Sequence, residues 1–102
     1  MKLRVPSPAL DKIATAAEWF DSQRHGLGRE FWQAVDATLV RIEKHPLEFS
    51  HSEFATSELD FRFALVSRFD YAIHFLNEAD EVQVVAVAHA ARRLGNWLRR
   101  SK

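Results

Sequence analysis

The spacing of apolar residues changes in the middle of this chain of 102 residues, and that change limits what it can fold into. Between Ser7 and Pro46, apolar residues recur every three or four positions, which predicts helices that each bury one stripe. After Asp60 they alternate with polar residues or run together, which predicts strands. The sequence therefore predicts an α+β fold in which helices pack on one face of a small, mostly antiparallel sheet.

The first half predicts a short strand and a helical hairpin. Residues 2–5 alternate and form the expected first strand, and Ser7 is the expected N-cap of a first helix at residues 8–23. Gly26 suits the left-handed conformation that ends a helix, and a second helix is expected at residues 27–45. Because the connection is only a few residues long, the two helices should be antiparallel neighbours.

The second half predicts three strands after a polar loop. Residues 50–60 lack periodicity and are expected to form a loop. Strands are expected at residues 61–66, 71–76 and 82–88. The last strand is apolar at every position but one, which is typical of a central strand. A short final helix is expected at residues 93–100.

Composition and charge exclude several classes of protein. A chain of this length is one domain, covering residues 1–102. It has no cysteine and no apolar run of about 18 residues, so we expect no disulfide, no thiolate metal site and no membrane span. The 14 basic and 14 acidic residues balance, which argues against binding nucleic acid with the whole surface. The charge is nevertheless segregated: residues 89–102 contain no acid, and residues 48–60 contain no lysine or arginine.

No cofactor and no metal are expected. The five histidines show no metal-ligand spacing, and the sequence contains neither a glycine-rich phosphate loop nor a nucleophile elbow. Glu18 and Asp21 are interpreted as charges on a helix surface. The aromatic side chains of the hairpin are expected to pack in the core or between the helices; they are Trp19, Phe20, Phe31 and Trp32.

Several segments together resemble the RelE/ParE toxin family. The hairpin resemblance rests on EWFDSQ at residues 18–23, GLG at 26–28, Phe31, residues 42–46 and Phe49. The central-strand resemblance rests on Arg68-Phe69, residues 71–73 and Phe75, and that of the closing strand and tail on residues 84–87, His89, Arg92, Arg93 and Trp97. The family often has proline where this chain has Asp70, and again in the tail where this chain has residues 94–96.

The resemblance implies a toxin of a bacterial type II toxin–antitoxin system, cytoplasmic and associated with plasmid stabilisation and growth inhibition. It implies an antitoxin partner whose DNA-binding part supplies the only contact with DNA, and no membrane partner. ParE-like members act on DNA gyrase and are not nucleases, whereas RelE-like members cut messenger RNA on the ribosome. A non-toxic interaction domain is a further alternative.

The choice between the two branches depends on basic residues. A metal-independent RNase needs a base, an acid and cations for the phosphate, and the candidates here are Arg62, Arg68 and His89. No lysine lies between Lys44 and Lys102, and no tyrosine follows His89, so the set is incomplete. The hairpin signature also resembles the ParE-like branch more closely, and we therefore favour a ParE-like, gyrase-directed toxin.

The basic C-terminal residues are expected to bind a partner, and two of the catalytic candidates also have a structural interpretation. The residues expected to bind the target or the antitoxin are Arg92, Arg93, Trp97, Arg99 and Arg100. His89 has a structural interpretation, as a hydrogen-bonded histidine at a strand end. Arg68 likewise could pair across the hairpin with an acid; the candidates are Asp70, Glu78 and Asp80.

Overall fold

The computed structural model describes residues 2–90 and has the predicted α+β architecture. In chain order the elements are β1 (Lys2–Arg4), α1 (Ser7–Gln23), α2 (Leu27–Lys44), a 3₁₀ turn (Pro46–Glu48), β2 (Phe61–Val66), β3 (Tyr71–Asn77) and β4 (Glu81–His89). The expected final helix lies outside the described residues.

The four strands form one mixed sheet in the order β1-β4-β3-β2. β3 is antiparallel to both of its neighbours, and β1 is parallel to β4. β4 therefore lies between β1 and β3, which confirms the prediction of a central last strand. Its register against β3 shifts between His74 and Phe75.

Both helices pack on the same face of this sheet, α1 over β4 and α2 over β2. The buried positions of α1 are small apart from Ile13, whereas α2 buries larger side chains; they are Ala9, Ile13, Ala16 and Ala17 in α1, and Phe31, Val35, Thr38 and Ile42 in α2. The sheet adds Ala64, Val66, Ile73, Phe75, Val82, Val84 and Val87. Each large side chain fully buried here contributes roughly 1.5–3 kcal/mol.

The helix boundaries follow backbone chemistry and correct two expectations. α1 starts at Ser7, and its N-cap is Pro6, because the extended Pro6 backbone places its carbonyl to accept the N–H groups of Ala9 and Leu10 at 3.0 and 3.1 Å. Ser7 is thus the first helical residue and not the cap. α2 ends at Lys44, one residue early, since the residue before a proline is disfavoured in the helical region.

The hairpin between the helices depends on Asp21, which is more than the surface charge that the sequence suggested. Gly26 adopts φ 91°, as its predicted left-handed position requires. Asp21 Oδ1 accepts hydrogen bonds from the backbone N–H groups of Gly26 and Gly28, at 2.9 and 3.2 Å. The carboxylate of one helix therefore satisfies free N–H groups at the start of the next.

The polar loop at residues 50–60 packs against the sheet edge and its helix-free face. Ser52 donates its N–H to the Phe61 carbonyl at 2.8 Å, and the Ser50 carbonyl accepts the Phe63 N–H at 3.1 Å. The buried Ser52 hydroxyl bonds to His74 Nδ1 at 2.8 Å. The loop thus continues the sheet beyond β2 for a short distance and covers part of its open face.

Candidate functional site

One end of the molecule carries two of the three catalytic candidates, Arg68 and His89. β4 ends at His89, which pairs with Tyr71 at the start of β3, and the two rings lie 5.3 Å apart. The next N–H, of Ala90, is donated to the Asp70 carbonyl at 2.6 Å. The last described residue of the chain, Ala90, therefore lies beside the β2–β3 turn.

The β2–β3 turn presents Arg68 at this same end. Arg68 and Asp70 have φ angles of 74° and 54°, in the left-handed region that non-glycine residues seldom occupy. Between them Phe69 is buried, and the Arg68 guanidinium lies over its ring at 5.1 Å. Arg68 pairs with Glu30 of α2 at 3.4 Å, and not with the acids predicted from the sequence, because the turn directs the side chain toward α2.

Arg62, the third catalytic candidate, does not join Arg68 and His89. It opposes Phe75, four residues from Tyr71 along β3, which corresponds to about 13 Å of strand. Its guanidinium donates to Asp60 Oδ1 at 3.0 Å and to the Phe49 carbonyl at 2.6 Å. With a side chain only 15% exposed, Arg62 connects the loop to the sheet and is not available to a substrate.

Asp60 is the centre of this second cluster. Partial burial by itself raises the pKa of its carboxyl, but the hydrogen bonds from Asn77 and Arg62 and the charges of Arg62 and His51 outweigh it, so the pKa lies below its ordinary value. Asn77 Nδ2 donates to Oδ2 at 2.9 Å, and His51 Nε2 lies 3.2 Å from Oδ1. Asp60 is therefore ionised at neutral pH and holds the loop against the sheet.

An aromatic cluster lies beneath the end of the molecule that carries Arg68 and His89. The rings of Phe20, Phe31, Phe69 and Tyr71 contact one another at centroid distances of 5.0 to 5.8 Å. Trp19 stacks edge-on against Phe20 at 5.1 Å, but it is 57% exposed. The expectation that Trp19 packs inside is wrong, because its position on α1 points away from both the sheet and α2.

Sequence reasoning missed Arg24 and Glu30, which the structure brings to Arg68. Arg24 pairs with Glu30 Oε2 at 3.4 Å. The one local signal was a carboxylate in the first turn of a helix, a common position that marks no site by itself.

The predicted tail residues lie outside the described part of the chain; they are Arg92, Arg93, Trp97, Arg99 and Arg100. Within residues 2–90, no group of three or more histidines and carboxylates is arranged to hold a metal ion.

Neither a protein-family model nor a curated protein sequence matches the chain. A solved structure does: a chain of the "Chromosomal ParDE TA system from P. aeruginosa" is similar with a TM-score of 0.62 at 11% sequence identity. The match covers 87% of this chain and 95% of that one, so the two share a fold over nearly their whole described length. This confirms the predicted RelE/ParE-like fold. Among the described helices, none is both long and apolar enough to cross a membrane.

Proposed function

We propose that this protein is the toxin of a bacterial type II toxin–antitoxin module, that it acts in the cytoplasm as one domain, and that an antitoxin protein neutralises it. The observation that carries the proposal is the fold shared with a chain of a ParDE toxin–antitoxin system across 95% of that chain. The sequence resemblance of the hairpin and closing strand supports it independently.

Within this class, a ParE-like toxin that acts on DNA gyrase is the function that the geometry supports best. A nuclease needs its cations and its acid and base around one phosphate. Of the three candidates, Arg62 is engaged by Asp60 and by the Phe49 carbonyl, far from His89. Arg68, whose side chain is 64% exposed beside Glu30, is thus the one cation of this set near His89. The arrangement therefore supports a protein that binds its target over one that cleaves RNA.

A RelE-like ribonuclease is the second candidate, because Arg68 and His89 belong to the same end of the sheet. The β2–β3 turn precedes Tyr71, the strand partner of His89. In that mechanism His89 would move a proton at the ribose hydroxyl and Arg68 would contact the phosphate. Neither role requires a cofactor or a metal.

Induced expression in a bacterial host tests the general proposal. Growth arrest is expected, and it should be relieved by coexpression of the small protein encoded beside this gene. Normal growth at a level of soluble protein confirmed by immunoblotting would contradict toxicity and favour a non-toxic interaction domain.

Assays with purified gyrase and with ribosomes, together with an SOS reporter in cells, then separate the mechanisms. For a ParE-like toxin, we expect inhibition of gyrase supercoiling and an SOS response in cells, with ribosome-bound messenger RNA left intact. Cleavage of that messenger RNA, abolished in His89→Ala and Arg68→Ala but retained in Arg29→Ala, would instead establish the ribonuclease.

A further inference from the structure

One carboxylate holds two arginines from separate parts of the chain. Glu30 lies in the first turn of α2, with Oε2 3.4 Å from Arg24 and Oε1 3.4 Å from Arg68. Arg68 is 38 residues from Glu30, so the tertiary fold creates this arrangement. We propose that these three residues, the Arg24–Glu30–Arg68 clamp, form the docking site for an acidic side chain of a protein partner.

The ion pairs that Glu30 makes with the two arginines of the clamp are weak. Both contacts of 3.4 Å exceed the 2.7–2.9 Å of a strong charge-assisted hydrogen bond. The side chains of Arg24 and Arg68 are 61% and 64% exposed, and exposed pairs of this kind contribute only about 0–1 kcal/mol. Each guanidinium carries five N–H donors, so a second carboxylate can join or replace Glu30 at little cost.

Arg68 is held in place before any partner arrives. Its φ angle of 74° lies in a region that costs an ordinary L-residue roughly 1–2 kcal/mol. The buried Phe69 anchors the turn, and the guanidinium rests on its ring. Such strain often accompanies a functional position, and a turn whose backbone is already fixed loses less entropy on binding.

A carboxylate fits this clamp better than a nucleic acid does. Nucleic acids present a phosphate at every step and require a track of cations, whereas here two guanidiniums converge on one point. The chain has 14 basic and 14 acidic residues and no net formal charge, which does not favour a polyanion. A local pair of arginines that already contacts one carboxylate suits one acidic side chain.

The exposed Trp19 ring indicates what should accompany that acid. Arg68 lies on Phe69, Phe69 on Phe20 and Phe20 on Trp19, with separations of 5.1, 5.0 and 5.1 Å. Because these steps need not lie on one line, their total is an upper limit on the distance from Arg68 to Trp19, which an extended segment of at most about five residues spans. Tryptophan and arginine are the residue types that most often dominate binding energy. We therefore expect the partner segment to carry an acidic and an apolar residue within such a distance.

The inference rests on the proposed function only where it names the partner, which is then the antitoxin; binding at the clamp is measured without it. The probe is a fluorescein-labelled, terminally blocked peptide of about twelve residues, with glutamates and leucines separated by glycine and serine. Anisotropy is recorded against the full chain at low salt. Arg24→Gln and Arg68→Gln should each weaken binding about fivefold or more, whereas the matched control Arg29→Gln should change it less than twofold.

Glu30→Gln gives the decisive result, because it frees both guanidiniums. It should tighten binding about three- to tenfold, and replacing the peptide's glutamates with glutamine should abolish binding. The inference is overturned if Glu30→Gln binds no better than the natural chain, if Arg29→Gln loses as much as Arg68→Gln, or if the peptide does not bind at about 1 mM. The inference is also overturned, in favour of RNA, if a uridine dodecamer binds more tightly than the acidic peptide and its binding is lost in Arg24→Gln and Arg68→Gln. Circular dichroism establishes that each variant is folded.

Discussion

Asp21 Oδ1 accepts the backbone N–H of Gly28 at 3.2 Å, so the last turn of α1 caps the first turn of α2. The same two residues set the closeness of the helices. A Cβ placed on Gly28 would lie 2.7 Å from the Ala17 carbonyl oxygen and 3.1 Å from Asp21 Cβ. Asp21, Gly26 and Gly28 therefore have structural roles that depend on each other: the carboxylate caps α2, and the absence of a side chain at Gly28 lets the two helices pack closely enough for that bond.

Gly28→Ala should destabilise the protein by about 1–3 kcal/mol, because the new methyl group meets backbone that cannot move aside easily. Urea unfolding followed by circular dichroism measures the change. Gln33→Ala, an exposed position in the same helix, is the control and should stay within about 0.5 kcal/mol of the natural chain. Equal stability of the two variants would show that the helices can separate at no cost.

Asp21→Ala should cost about 1 kcal/mol, the usual loss when a capping side chain is removed. Two backbone N–H groups, of Gly26 and Gly28, lose their acceptor. Glu18→Ala removes an exposed carboxylate one turn earlier in α1 and should change thermal stability far less. If both variants melt at the same temperature, the capping role is wrong.

Asp60→Asn should remove a pH-dependent contribution to stability. Because the pKa of Asp60 is lower in the folded chain than its ordinary value, its charge stabilises the folded state above the unfolded pKa of about 3.9. That contribution disappears as the pH falls through the lower folded value. We expect a loss of about 1–2 kcal/mol at neutral pH, since the partly buried Arg62 keeps its bond to the Phe49 carbonyl but loses its carboxylate.

The pH dependence itself is the test of Asp60. The difference in unfolding free energy between the natural chain and Asp60→Asn should be constant above about pH 5 and shrink below about pH 4. Glu58→Gln, an exposed carboxylate of the same loop, should show no such difference at neutral pH. If this difference in unfolding free energy stays unchanged down to about pH 2, the charge of Asp60 does not contribute to stability.

Ser52→Ala should destabilise the chain by about 1–3 kcal/mol, because its buried hydroxyl bonds to His74 Nδ1 at 2.8 Å and also accepts the N–H of Phe54 at 3.2 Å. Amide hydrogen exchange should rise first in residues 50–60, the segment that Ser52 fixes to the sheet. Ser50→Ala changes a neighbouring exposed hydroxyl and serves as the control. Unaltered exchange in that segment would contradict an anchoring role for Ser52.

Removal of the basic tail tests its predicted role with the partner. A chain that ends at Ala91 lacks four arginines, one lysine and Trp97. Copurification with the coexpressed neighbouring protein should fall sharply, and more so as salt is raised. Retention of the full complex by the shortened chain would remove the tail from the partner-binding surface.

The sequence by itself determined the elements and their order. The change of apolar spacing after Asp60 predicted the helical hairpin and the three later strands, with β2 (Phe61–Val66) placed to the residue and α2 misplaced by one residue at its end. The nearly continuous apolar run of the last strand also placed it centrally in the sheet. These features can be predicted from sequence because side chains reach the same face at a fixed period, about 3.6 residues in a helix and about 2 in a strand. A strand buried on both faces is apolar at nearly every position.

The polar contacts were decided by the tertiary structure alone. Nothing in the spacing of residues indicated that Arg62 would be held by Asp60 and the Phe49 carbonyl, or that Glu30 would lie between Arg24 and Arg68. Periodicity records which face is buried, but the meeting of two polar atoms depends on strand register, turn conformation and the path of a loop. An arginine in the sequence is a candidate for many partners, and the fold selects one of them because guanidinium and carboxylate must lie within a few ångströms.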